Sequence, residues 1–75
     1  MRLDELPIGK KATIVTVKGG RQQRRLQDLG FVCGVEIQCI CQGPLKDPRL
    51  YRLLKTSVAL RNQDAALILV GCEAQ

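Results

Sequence analysis

The side chains in this chain that could do chemistry are its four cysteines and a cluster of arginines, and there is no histidine to accompany either set. Cys33, Cys39, Cys41 and Cys72 offer soft sulfur ligands, but no two of them have the C-x-x-C spacing of a zinc site. Their number is even, which in a secreted miniprotein would point to two disulfides. The N-terminal Met1-Arg2-Leu3-Asp4-Glu5 has no signal-peptide apolar stretch, so the expectation is reduced thiols in the cytoplasm. Cys39 and Cys41 stand two apart on an expected strand, which places them on one face, where free cysteine acts as a small apolar residue. The alternative is a metal or cluster site recruiting Cys33 or Cys72.

Catalysis finds little to work with. There is no histidine, no serine beside a base and no carboxylate pair in a recognisable motif, which excludes the common hydrolytic and acid–base classes. Gly19, Gly20, Gly30 and Gly34 do not form a phosphate cradle, because Gly19-Gly20-Arg21 lacks the GxxxxGK[ST] spacing. They are expected at turns that need positive φ. No cofactor is expected.

Charge is more informative. Twelve Lys and Arg against seven Asp and Glu give a net charge of +5, which favours acidic protein surfaces, anionic lipid or nucleic acid. Arg21, Arg24 and Arg25 fall on one side of an expected helix whose opposite face packs inward through Leu26 and Leu29. This outward edge is either a solvated face or a docking surface whose guanidinium forks suit carboxylates; an arginine finger is a bolder version. Leu45, between Pro44 and Lys46, is either an apolar anchor on a partner or a residue folded back over the fold's end. Tyr51 and Phe31 are the only aromatics. Phe31 is expected in the core, and Tyr51 either in the core or at an edge where it joins Arg21, Arg24, Arg25, Leu45 and Lys46 as a partner contact. Nucleic-acid binding by a basic small barrel is the rival class, yet two aromatics are too few for base-stacking platforms.

The elements that position these residues follow from periodicity. Seventy-five residues make one domain over 1–75, burying only roughly 60% of the surface the unfolded chain exposes. Apolar residues at 45% and charged at 25% argue against disorder, and the longest apolar run, Ala65 to Val70, is too short to span a bilayer. Leu3, Leu6 and Ile8 predict a short plug punctuated by Pro7 and Gly9. Lys11 to Lys18 predicts a strand with Ala12, Ile14 or Val15, and Val17 inward; Gly19-Gly20 ends it. Arg21 to Leu29 predicts a helix with Gln22, Leu26 and Leu29 on one face, closed by a left-handed Gly30. Val35, Ile37, Cys39 and Cys41 alternate with polar residues in a second strand, where only Ile40 breaks the pattern. Gly43 to Pro48 must be an exposed loop, since two prolines remove ladder donors. Arg49 to Lys55 and Ser57 to Arg61 predict two strands joined near Thr56, and Asn62-Gln63-Asp64 a polar turn before the strand Ala66 to Val70. The expected fold is mainly β: a small SH3-like barrel of about five strands with one short helix between the first two. A reduced oligonucleotide-binding barrel is second.

In this order, Gly19-Gly20, the basic helix with Arg25-Leu26-Gln27-Asp28-Leu29-Gly30-Phe31, Pro44-Leu45-Lys46-Asp47-Pro48 and Leu60-Arg61-Asn62-Gln63-Asp64-Ala65 resemble the FeoA family, from about Leu3 to Val70. The resemblance implies a cytosolic SH3-like accessory domain that accompanies the FeoB ferrous iron transporter, a membrane GTPase. Related domains are fused to iron-dependent repressors. It implies a non-enzymatic adaptor docking on the transporter's GTP-binding region, at the membrane only through that partner. From the residues themselves no specific nucleic-acid partner is expected, and weak homo-oligomers stay open. Direct ferrous iron chelation lacks the histidine and carboxylate cluster it would prefer. Cys33 stands where the family commonly has proline, Lys46 where a glycine is common before Asp47-Pro48, and Lys55 where a hairpin glycine is frequent.

Overall fold

The computed structural model describes residues 1–72, Cys72 by its backbone alone. After a 3-10 turn at Leu3–Glu5 come β1 (Lys11–Val17), α1 (Gly20–Asp28), β2 (Glu36–Gln42), β3 (Arg49–Leu53), β4 (Thr56–Leu60), α2 (Asn62–Ala65) and β5 (Ile68–Cys72). The strands form one antiparallel sheet in the order β4-β3-β2-β1-β5, and the helix between the first two strands is α1, as the sequence predicts. No helix among the described residues is long and apolar enough to cross a membrane.

Two bulges curve the sheet around its core. Pairing of β1 with β5 shifts by one residue between Ile14 and Thr16, leaving Val15 as the extra residue. That settles the inward set as Ala12, Ile14 and Val17, all buried, with Val15 54% exposed. Pairing of β2 with β3 shifts likewise between Cys39 and Cys41, so Ile40 is extra. Bulges bend and twist the strand that carries them. The second bulge also corrects the expected pairing of thiols on one face: Cys39, opposite Tyr51, is fully buried, whereas Cys41, opposite Leu50, is exposed. Period two resumes beyond the extra residue in the opposite phase.

At the end of α1 the chain reverses through Gly30, whose φ of 110° is a left-handed conformation that L side chains rarely adopt. Phe31 N–H donates to the Leu26 carbonyl at 3.0 Å and Gly30 N–H to the Gln27 carbonyl at 3.0 Å, a complete Schellman closure. The reversal carries Phe31 under the helix, where it is fully buried beside Leu26 in the core cluster. Leu29, expected on the packed face, is 41% exposed: α1 ends at Asp28, and Leu29 is its C-cap. The opposite end of α1 begins at Gly19, with φ 102°; a Cβ there would lie 2.9 Å from a methyl of Leu67.

Leu3 and Leu6 plug the core as predicted, while Ile8 is 49% exposed. The tight turn expected near Thr56 is Leu54-Lys55, immediately before it, and the expected turn at Asn62 to Asp64 is the one-turn helix α2.

Candidate functional site

Arg21, Arg24 and Arg25 are all exposed on α1, where Leu26 is the buried residue. Helix start is helped by Gln23, whose Nε2 donates to the Val17 carbonyl at 2.9 Å, tying the first turn to the end of β1. Among the described residues Arg21 and Arg24 make no ion pair, and Arg25 Nη2 lies 3.9 Å from Asp64 Oδ2 on α2. At that distance, with Arg25 69% exposed, the pair orients more than it stabilises.

The 43–48 loop presents Leu45, 87% exposed, and the exposed Lys46. Its shape is held from within and from α2. Lys46 N–H donates to the Gly43 carbonyl and Gly43 N–H to the Pro48 carbonyl, both at 2.9 Å. Asn62 N–H donates to Asp47 Oδ1 at 2.8 Å, and Asn62 Nδ2 to the Lys46 carbonyl at 2.9 Å. Thus α2 touches α1 through Asp64 and the loop through Asn62. One helical turn brings the edge of α1 and the Leu45 loop to either side of itself, with exposed Arg61 at its start.

Tyr51 does not join them. It is fully buried on β3, opposite Cys39, so contrary to the expected edge position it offers no surface to a partner. The strand alternates Arg49, Tyr51 and Leu53 inward with Leu50 and Arg52 outward, and the pleat fixes the ring inside. The Tyr51 hydroxyl and Arg49 Nε are buried and make no hydrogen bond among the described residues. Burial pushes the Tyr51 phenol up to about 12, although the nearby Arg49 cation pulls the other way. Burial also raises the Cys39 thiol.

Arg49 was not singled out by sequence reasoning, and it organises this end of the molecule. Only 6% exposed, it donates from Nη1 to the Asp4 carbonyl at 2.6 Å and from Nη2 to the Leu6 carbonyl at 2.5 Å, with its guanidinium carbon 5.9 Å from the Tyr51 ring centre. The period-two pattern was the signal: with Tyr51 and Leu53 inward, Arg49 must also point inward. It lines a pocket of about 210 Å³ together with the Asp4-to-Pro7 segment, Gln42, Lys46 and Asn62. Of the thiols, Cys33 and Cys41 are exposed, Cys39 is buried, and the side chain of Cys72 lies outside the described residues. No group of three metal-binding side chains gathers among the described residues. The arrangement offers basic and apolar contacts on a frame fixed by hydrogen bonds from α2.

The FeoA domain model matches residues 1–71. The chain is 45% identical over 69 residues to an Fe(2+) transport protein A/Fe(2+) transporter FeoB fusion protein of Porphyromonas gingivalis, a match covering 91% of this chain and 8% of that protein. Among solved structures, FeoA of Stenotrophomonas maltophilia in complex with zinc, described as a prokaryotic SH3 domain protein, shares 35% identity. The overlap covers 93% of this chain and 88% of that one, with a TM-score of 0.84. A FeoA-like protein of Clostridium acetobutylicum shares 30% identity with a TM-score of 0.92, covering all of this chain and 88% of that one. The SH3-like architecture expected from the strand order is therefore the architecture of these relatives.

Proposed function

Because this chain belongs to the FeoA domain family, we propose that it is a non-enzymatic, cytoplasmic accessory protein of ferrous iron uptake. It docks on the cytosolic GTP-binding region of a FeoB-type transporter. The observation that supports this most is the fusion relative, in which a segment similar to this chain shares one polypeptide with the transporter. Covalent linkage of that kind holds two modules at high effective concentration, which is productive where the two associate. The contact residues are Arg21, Arg24 and Arg25 on α1 with Leu45 and Lys46 of the loop, all exposed and arranged around α2. Arginine forks provide charge complementarity to an acidic face, and Leu45 supplies an apolar anchor.

Calorimetry of the purified chain with the soluble GTP-binding domain of such a transporter, at low salt, tests this reading. Binding is expected, and the combined Arg21→Glu, Arg24→Glu, Arg25→Glu variant and Leu45→Glu should each weaken it by about tenfold or more. Their circular dichroism should match the parent, since every altered residue is exposed. Absence of binding by the parent, together with tight nucleic-acid binding, would overturn the proposal. Unaltered affinity in both variants would move the interface elsewhere.

A further inference from the structure

The sheet has two ends, and among the described residues only one is covered. Beyond β5 the N-terminal residues continue the ladder: Arg2 bridges Leu69, and Val70 N–H donates to the Met1 carbonyl at 2.8 Å. Beyond β4, no backbone hydrogen bond other than those to β3 involves residues 56–60 among the described residues.

The register identifies which groups are free. The turn Leu54-Lys55 closes on the pair Leu53 and Thr56. Across a two-residue loop that pair must be a hydrogen-bonded one, because a non-bonded pair would require a ladder bond between adjacent residues. Alternation then directs the N–H and C=O groups of Val58 and Leu60 to β3 as well, and those of Ser57 and Ala59 outward. Both of these residues are exposed, small and uncharged, so a second backbone can approach closely. Edge strands are commonly guarded by lysine, proline or a bulge, and β4, Thr-Ser-Val-Ala-Leu, pairs with β3 without any of them. Its flanks are basic: Lys55 and Arg61 stand exposed at either end, and Arg52 lies directly across from Ser57.

We propose that β4 accepts an extended acidic segment of another protein as a sixth strand, held by the outward groups of Ser57 and Ala59 and by Lys55, Arg52 and Arg61. A second copy of this chain is disfavoured. Symmetric antiparallel pairing about Val58 would set Lys55 opposite Arg61 at both ends, and like charges facing each other across strands repel. A segment with carboxylates at those positions meets the opposite situation, and strand addition of this kind draws its affinity from main-chain bonds. This surface goes beyond the docking reading above, as it uses no residue of α1 or of the Leu45 loop.

The probe is the peptide acetyl-Glu-Val-Thr-Val-Thr-Val-Glu-amide, titrated into the 15N-labelled chain, with a lysine-ended version as control. The acidic peptide should shift the Ser57 and Ala59 amides and slow their hydrogen exchange, and the basic version should bind about tenfold more weakly. Ala59→Pro removes an outward donor while leaving the bonds to β3, and should weaken the acidic peptide about tenfold. Should that variant distort β4, Lys55→Glu combined with Arg61→Glu keeps the test decisive, with a reversed preference for the basic peptide expected. Equal affinity for the two peptides, unmoved Ser57 and Ala59 amides, or a concentration-dependent dimer protecting those same amides would overturn the proposal.

Discussion

The guanidinium of Arg49 and the carbonyl of Leu6 meet at 2.5 Å although the residues are 43 apart in sequence, so a buried charge on β3 ties down the segment that plugs the core. A second bond to the Asp4 carbonyl completes the clasp. In Arg49→Met both carbonyls lose their donor while the volume is kept, and hydrogen bonds from charged groups are the strong ones. Urea denaturation should register a loss of about 2–4 kcal/mol. Amide exchange at the Leu6 N–H, which closes the 3-10 turn on Leu3, should quicken more than exchange within β1. A loss under about 1 kcal/mol would mean that the clasp contributes little.

Tyr51 is the single tyrosine and there is no tryptophan, so absorbance near 295 nm reads its ionisation alone. In the folded chain its midpoint should lie near 12, against the ordinary value of 10 in denaturant. The sign follows directly: between these values the unfolded state releases the proton and the folded state keeps it. Stability present below pH 10 therefore falls as pH rises from 10 towards 12. Tyr51→Phe should lose that part of the alkaline decline, and a folded-state midpoint at the ordinary value would contradict the burial argument.

Gly30→Ala puts a Cβ on a φ of 110°, and 3.4 Å from a methyl of Leu53. Left-handed strain for a non-glycine residue should cost roughly 1–3 kcal/mol. Thermal unfolding measures this. A neutral outcome would show that the corner between α1 and β2 relaxes freely.

Thiol labelling distinguishes the two phases of β2. A maleimide applied to the native chain should modify Cys33 and Cys41, both exposed, and reach Cys39 only after denaturation. Peptide mapping by mass spectrometry provides the readout. Equal rates at Cys39 and Cys41 would restore the regular strand that the sequence pattern suggested.

Much of this architecture can be read from local chemistry. Gly30 after a helical run, the prolines of the 43–48 loop and the alternation of β2 up to Cys39 all translate into the observed elements. The errors have a common cause. Extending period two past Ile40 puts Cys41 on the inner face, although that lone apolar residue in a polar phase is itself the mark of the bulge. Helical periodicity puts Leu29 inward, but the helix ends one residue before it. The site was less legible than the fold because its frame is long-range. Nothing near Asp47 announces that its carboxylate holds the Asn62 amide, nor that Asp64 faces Arg25. Exposed arginines could be located from the helix alone, but the geometry around α2 required the tertiary structure.

The two extra residues, Val15 and Ile40, have a consequence for how the chain tolerates changes in length. Deleting either would leave every flanking cross-strand partner as it is, since the pairs on both sides already differ by that one residue. What would go is the bend, and with it the room in which Phe31 and Tyr51 are enclosed. At these two positions chain length therefore encodes curvature and not pairing, so single-residue deletions there should yield a sheet correctly zipped but too flat to close over its own core.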